Sequence, residues 1–342
     1  MKRTLIGLAV VVGALAFGAG VYLYRLNRPL PSANTGYAPE LVSQLPPDAP
    51  AIAYVNVAAL RELRNSPLAA VLGLSSSGPE ADREYAEFVR ETGFDYTRDL
   101  DKLALAAWPG SFAGVAGGQE ENRALAIASG RFDQKKIGAY ALRTGRAVPH
   151  SSQAIYQVPG NPTVWFVFQS TESMALASGK NGEELLATHG ARARDAAMDT
   201  RIARVAGAPI FAVARTNDLP ESFYKNFSNS PQLEQLVRSI RGLSLAGQPD
   251  KDAIKVALDA ECDSKSSALQ LATLLDILRM SSSIALSNPK TRRQMTRPQA
   301  ALVEALVRRV KVTHQDQWVR LTLDMTPEML GLPSAGPTAQ VP

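Results

Sequence analysis

Asp48-Ala-Pro-Ala-Ile-Ala-Tyr-Val-Asn-Val-Ala-Ala-Leu60 and Gly207-Ala-Pro-Ile-Phe-Ala-Val-Ala-Arg-Thr-Asn-Asp-Leu219 share one frame. Each has Ala-Pro, a short apolar strand, a polar exit, and a leucine that opens a helix. The recurrence predicts an internal duplication, with a first unit over 47–200 and a second over 201–331.

The residues downstream of each copy support the frame. In the first, Tyr85, Phe88, Val89 and Thr92 recur at helical spacing before Gly93. In the second, Ser230 reads as an N-cap and Pro231 as N1. Leu233, Leu236, Val237 and Ile240 form the apolar stripe there, and Gly242 the stop. Strands come next at Leu103–Ala107 and Leu243–Ala246, then a turn and second strands at Arg123–Phe132 and Ala253–Cys262. In the last of these, Ile254, Val256, Leu258, Ala260 and Cys262 alternate with Lys255, Asp259 and Glu261, which predicts one packed face and one wet face. Asp133 and Asp263 stand where they would N-cap the next helices, the second spanning Ser264–Met280.

Beyond this the copies diverge. The first adds strands at Ala154–Val158, Thr163–Phe168 and Met174–Ser178 and a helix at Gly182–Thr188. The second inserts Ser281–Arg297, then a helix opened by the Thr296-x-x-Gln299 capping box, and strands at Val310–Thr313 and Val319–Asp324. Strands mixed with irregularly placed helices, without βαβ alternation, predict an α+β fold of mainly antiparallel sheet.

The segment ahead of this body, Thr4–Tyr24, is TLIGLAVVVGALAFGAGVYLY. It has no charge and lies between Lys2 and Arg3 on one side and Arg25 and Arg28 on the other. As a helix rising about 1.5 Å per residue, it matches the hydrocarbon core of a bilayer. A transmembrane anchor is expected over 1–28. The alternative is a signal peptide cleaved after Ala14-Leu15-Ala16, but the apolar run continues past that point and closes with Tyr22 and Tyr24, suited to an interfacial belt. The expected placement is single-pass in a bacterial inner membrane with the bulk in the periplasm; cleavage would instead give a secreted protein. Pro29, Pro31, Pro39 and Pro46 mark 29–46 as an extended tether, and 332–342 reads as a disordered tail.

The chain carries 37 Lys and Arg against 32 Asp and Glu, a net +5. The anchor flanks account for four of these charges. Lys290–Lys311 adds seven basic residues against Glu304, so the remainder sums to about −5. That distribution excludes a nucleic-acid footprint. One cysteine, Cys262, permits no internal disulfide.

Leu-Pro-Pro-Asp-Ala-Pro-Ala-Ile-Ala-Tyr-Val-Asn (45–56) and the Phe-Val-Phe…Met-Ala-Leu-Ala-Ser-Gly…Glu-Glu-Leu-Leu pattern (166–186) resemble bacterial exported proteins that carry a domain of unknown function. The likeness covers about 47–190 and rests on structural residues. It implies an N-terminal apolar segment ahead of the body and brings no catalytic residues with it.

Reaction chemistry is sparse. His150, His189 and His314 are far apart with no metal-ligand spacing. Cys262, on a strand's inward face, reads as buried filler. Gly110–Gly114 and Gly242–Gly247 have the wrong spacing for a nucleophile elbow, and Gly114–Gly118 lacks the Lys-Ser/Thr of a phosphate loop. Asp99/Asp101 and Asp250/Asp252 flank strand starts, where such pairs cap or solvate turns unless a cleft gathers them as general acids. Asp259, Glu261 and Asp263 form an acidic ladder on the presumed wet face. No cofactor, metal or catalytic set is expected.

The basic segment offers one candidate contact with an anionic surface, through Arg292, Arg293, Arg297, Arg308 and Arg309. The competing reading is a core-packed helix whose negative end Arg308 and Arg309 complement. The expected function is a non-catalytic binding or scaffold protein, with the lipid bilayer as partner through residues 4–24 and another envelope protein as a candidate second partner. The alternatives are a hydrolase-like envelope enzyme with a dispersed carboxylate site, or an apolar-ligand carrier.

Overall fold

The structure, a computed structural model, describes residues 40–61, 83–108, 123–150, 153–160, 163–179, 181–188, 194–218, 224, 230–249, 253–287, 304, 307–326 and 329. In chain order these give α1 (Glu40–Ser43), β1 (Ala51–Asn56), α2 (Val57–Arg61), α3 (Arg83–Thr92), α4 (Tyr96–Asp99), β2 (Leu100–Ala107) and β3 (Ala124–Gly130). Next come α5 (Gln134–Thr144), β4 (Arg146–His150), β5 (Gln153–Val158), β6 (Val164–Ser170), β7 (Ser173–Ser178), α6 (Gly182–Thr188) and α7 (Ala196–Val205). The remainder is β8 (Ile210–Arg215), a 3₁₀ turn (Thr216–Asp218), α8 (Pro231–Arg238), β9 (Ile240–Pro249), β10 (Ile254–Cys262), α9 (Lys265–Ser287), β11 (Lys311–Gln315) and β12 (Trp318–Met325).

All twelve strands join one sheet in the order β11-β12-β10-β9-β8-β1-β2-β3-β7-β6-β5-β4. Every pairing is antiparallel. The fold is thus a mixture of helices and antiparallel sheet. Outward from the centre, β1-β2-β3-β7-β6 on one side answers β8-β9-β10-β12-β11 on the other, with β5 and β4 added at the first edge. The two Ala-Pro stretches meet as β1 and β8, with Ala53 opposite Ala212. Their hydrogen bonds are reciprocal: the Arg215 amide donates to Pro50 O (2.8 Å), and the Asn56 amide donates to Pro209 O (2.7 Å). The two prolines therefore serve as paired acceptors at opposite ends of the central ladder.

Strand alternation sorts side chains onto two faces. On the first, Ile52, Tyr54, Leu125, Ile127, Trp165, Phe211 and Val213 build the main core with α1, α6 and α7 above them. Ala104, Ala106, Ala175, Ala177 and Ala246 share this face, all buried, and their small side chains let the helices approach closely. On the second face, α5 packs Ile137 against Phe132, Phe166 and Met174, with α3 alongside α5, while α8 and α9 pack Leu236 and Leu271 against Ala260 and Cys262.

Several expectations need correction. Leu41, Val42 and Leu45, expected within the 29–46 tether, are buried in the core, and Glu40–Ser43 is helical; 29–39 lie outside the described residues. Ser264 rather than Asp263 caps α9, its Oγ accepting from the Ser267 amide at 3.1 Å. Ile240 and Gly242 lie in β9, because α8 already ends at Arg238. α9 runs on to Ser287, past the Met280 expected. Ser230 precedes Pro231 at the start of α8 as expected, but its side chain makes no cap hydrogen bond. Among the described residues no helix is long and apolar enough to cross a membrane. The run 4–24, the Thr296 capping box and the tail 332–342 lie outside the described residues.

Candidate functional site

Of the acidic ladder, Asp263 is exposed beyond the end of β10, but Asp259 and Glu261 are not on a wet face. Register puts Asp259 opposite Ser244 on β9 and Arg320 on β12, all on the first face. Asp259 is 1% exposed. Arg320 grips it with two hydrogen bonds of 2.6 Å, a charge-assisted fork geometry. That carboxylate also makes the Arg320 guanidinium harder to deprotonate. From above, α7 delivers two more arginines. Arg201 Nε donates to Glu261 Oε2 at 2.7 Å, and Arg204 Nε lies 3.4 Å from Asp259 Oδ2, an ion pair without hydrogen-bond alignment. The Arg204 guanidinium stacks over Trp318 at 4.0 Å.

α7 can do this because Met198, Arg201, Ile202 and Val205 share its buried stripe. Gly242 is part of the same arrangement. A Cβ there would overlap the Arg201 guanidinium, so the glycine makes room for an arginine rather than ending a helix. A residual space of about 10 Å³ between Arg204, Asp259 and Arg320 is the size of one water molecule.

A second polar cluster sits where β2 begins and β3 ends. Asp99 closes α4 with its side chain buried, and Arg98 donates to both its oxygens (Nε at 3.0 and 3.1 Å, Nη2 at 2.6 Å). Arg131 approaches Oδ1 at 3.3 Å and the Asp95 amide donates to Oδ2 at 3.0 Å. Burial pushes the Asp99 carboxyl up, but the Arg98 bonds, the Asp95 amide and the two arginine charges together hold it below its ordinary range. Asp133 is likewise held down, chiefly by the Lys136 amide that it caps. These groups, with Phe94 and Glu172, rim an open cleft of about 560 Å³. Both acids are ionised at neutral pH, so neither can act as a general acid there.

Asp99 and Asp101 do not form a pair: Asp101 turns to Arg61 at 2.9 Å. Asp250 and Asp252 lie outside the described residues. Of the anionic-surface candidates, Arg308 is exposed and paired with Glu304 at 2.8 Å, while Arg309 reaches Thr326 Oγ1 at 3.2 Å. Arg292, Arg293 and Arg297 are outside the described residues. His314 is exposed on β11, and among the described residues no group of three His, Cys, Asp or Glu could hold a metal. Cys262 is buried, and that burial, with the nearby Asp263 and Glu261, pushes its thiol up to about 11. It is a protonated filler at neutral pH.

The arginines of α7 escaped sequence reading because they meet β10 across 60 residues of chain. The available signal was the alternation of β12, which places Arg320 in phase with Asp259 once the two strands are paired.

No family model matches this chain, and no curated protein matches it. Among solved structures it is similar to crystal form III of TP0453 (TM-score 0.48, 9% identity, 86% of this chain and 96% of that one). Form I (0.44, 9%, 86% and 96%) and form IV (0.47, 8%, 87% and 98%) are similar too. A likeness this distant concerns chain course alone.

Proposed function

We propose that this chain is a membrane-tethered protein of the bacterial cell envelope whose body faces the periplasm and serves as a non-catalytic binding or scaffold surface. The single observation that carries the reading is the uncharged, 21-residue run Thr4–Tyr24 between basic flanks, followed by a large folded body. The resemblance of 45–56 and 166–186 to exported proteins with a domain of unknown function points the same way. The reciprocal Pro50 and Pro209 bonds and the matching strand orders support an internal duplication, two related units joined edge to edge through β1 and β8. Among the described residues the least exposed carboxylates are committed to arginines: Asp259 to Arg320, Glu261 to Arg201, Asp99 to Arg98. Such pairing stiffens a scaffold and leaves little for proton transfer, which weighs against the alternative of a carboxylate hydrolase.

Cell fractionation tests the placement. The full chain should stay with membranes through an alkaline carbonate wash and become protease-sensitive once the outer membrane is opened. A chain lacking 1–28 should be soluble, and a pull-down from solubilised membranes should recover a partner with the full chain. Full chain found soluble in the cytosol, or turnover in a substrate screen with no partner recovered, would overturn the reading.

A further inference from the structure

α9 carries an apolar surface that is exposed among the described residues. The helix packs on β10, β11 and β12 through Ala268, Leu271, Ala272 and Leu275. Its opposite side is apolar as well. Leu269 is 52% exposed, Ile277 54%, Met280 60% and Ile284 74%. At about 100° per residue these four and Thr273 fall within about 80° of one another, in a stripe about 22 Å long. Thr273 adds no polar group, since its hydroxyl donates back to Leu269 O at 2.8 Å. The only other charges in the helix beyond its first residue, Asp276 and Arg279, neutralise each other at 3.2 Å.

We propose that this stripe seats on the anionic surface of the bilayer. The inference rests on the membrane-tethered reading and names a second contact for the same protein. Two observations select lipid. First, between Asp276 and Glu304 the sequence has no acidic residue and carries Arg279, Lys290, Arg292, Arg293 and Arg297, so the charge next to the stripe in sequence complements anionic headgroups. Second, the tether is short. The 15 residues from Arg25 to Pro39 can reach at most about 50 Å. A body held that close meets the membrane at high effective concentration, so a contact too weak to bind alone suffices.

The full chain can be tested directly, because its natural cysteine, Cys262, is buried. An environment-sensitive fluorophore is placed on Ile277→Cys, Ile284→Cys and, on the opposite face, exposed Thr200→Cys. The labelled chains are reconstituted into phosphatidylcholine vesicles with or without phosphatidylglycerol. The expected result is a blue shift and quenching by shallow spin-labelled lipid at 277 and 284, only with phosphatidylglycerol, lost in high salt, and absent at 200. Thermal melts of each variant confirm folding. If the chain floats with both vesicle types but the probes at 277 and 284 behave like that at 200, the stripe proposal fails and the anchor stands. If flotation requires phosphatidylglycerol and is lost in the double variant Ile277→Ser/Ile284→Ser, the anchor fails and the stripe stands. No flotation at all sinks both. A lipid-independent blue shift, with oxidative disulfide cross-linking of the unlabelled Ile284→Cys chain, assigns the stripe to a second copy and overturns the proposal.

Discussion

Asp259 is the residue on which the polar half of the first face turns. Truncation to Ala leaves Arg320 and Arg204 facing each other with no anion between them. Breaking a buried pair typically costs about 3–5 kcal/mol, but both guanidinium groups still reach water, so about 2–4 kcal/mol is expected from urea unfolding. The double variant Asp259→Ala/Arg320→Ala should cost less than the sum of the two single changes. Additive costs would mean that the pair carries no coupling. Asp99 gives a pH prediction. Its folded carboxyl titrates below its unfolded value, so its contribution is present above the ordinary carboxylate range and fades as pH falls through the depressed folded value. Acid titration of stability should therefore be flatter in Asp99→Asn than in the parent. An unchanged acid limb would mean that Asp99 contributes nothing to it.

At the scale of elements, the α9 start separates two neighbouring residues. Ser264→Ala should cost about 1 kcal/mol in urea midpoint terms through loss of the cap to the Ser267 amide. Asp263→Ala should stay within about 0.5 kcal/mol, because Asp263 is exposed and is not the cap. The reverse order would restore the sequence expectation. Elements were legible where one periodicity ruled. β10 reads from its own alternation, α6 from its apolar spacing, and the Asp133 cap of α5 from its position at a strand end. Legibility failed where the deciding partner came from elsewhere in the chain. α1 hides among prolines because Leu41, Val42 and Leu45 are apolar for the sake of a core that other elements supply. The Ser281-Ser282-Ser283 run reads as a break, yet Ser282 is buried in a continuing helix. The wet face assigned to β10 became a buried ion-pair layer through Arg201 and Arg204 of α7, which no local pattern announces.

The whole molecule poses the question of whether two units with matching strand order unfold as two. They share one sheet, and the main core draws on both: Ile52, Leu125 and Trp165 from the first, Ile202, Phe211 and Val213 from the second. At the seam, Tyr54 stacks on Phe211 with ring centroids 5.3 Å apart, and Phe211 is 1% exposed. Neither unit can leave without exposing the other's apolar strand face and an open ladder, so one cooperative transition is expected despite the chain's length. Two single-tryptophan variants separate the halves, one keeping only Trp165 on β6 and the other only Trp318 on β12. Their urea transitions should coincide. Phe211→Ala, which opens a cavity at the seam, should cost about 3–5 kcal/mol and move both transitions together. If Trp165 and Trp318 report separate midpoints, or if Phe211→Ala shifts only the second, the units are independent folding bodies and the seam is merely a contact between them.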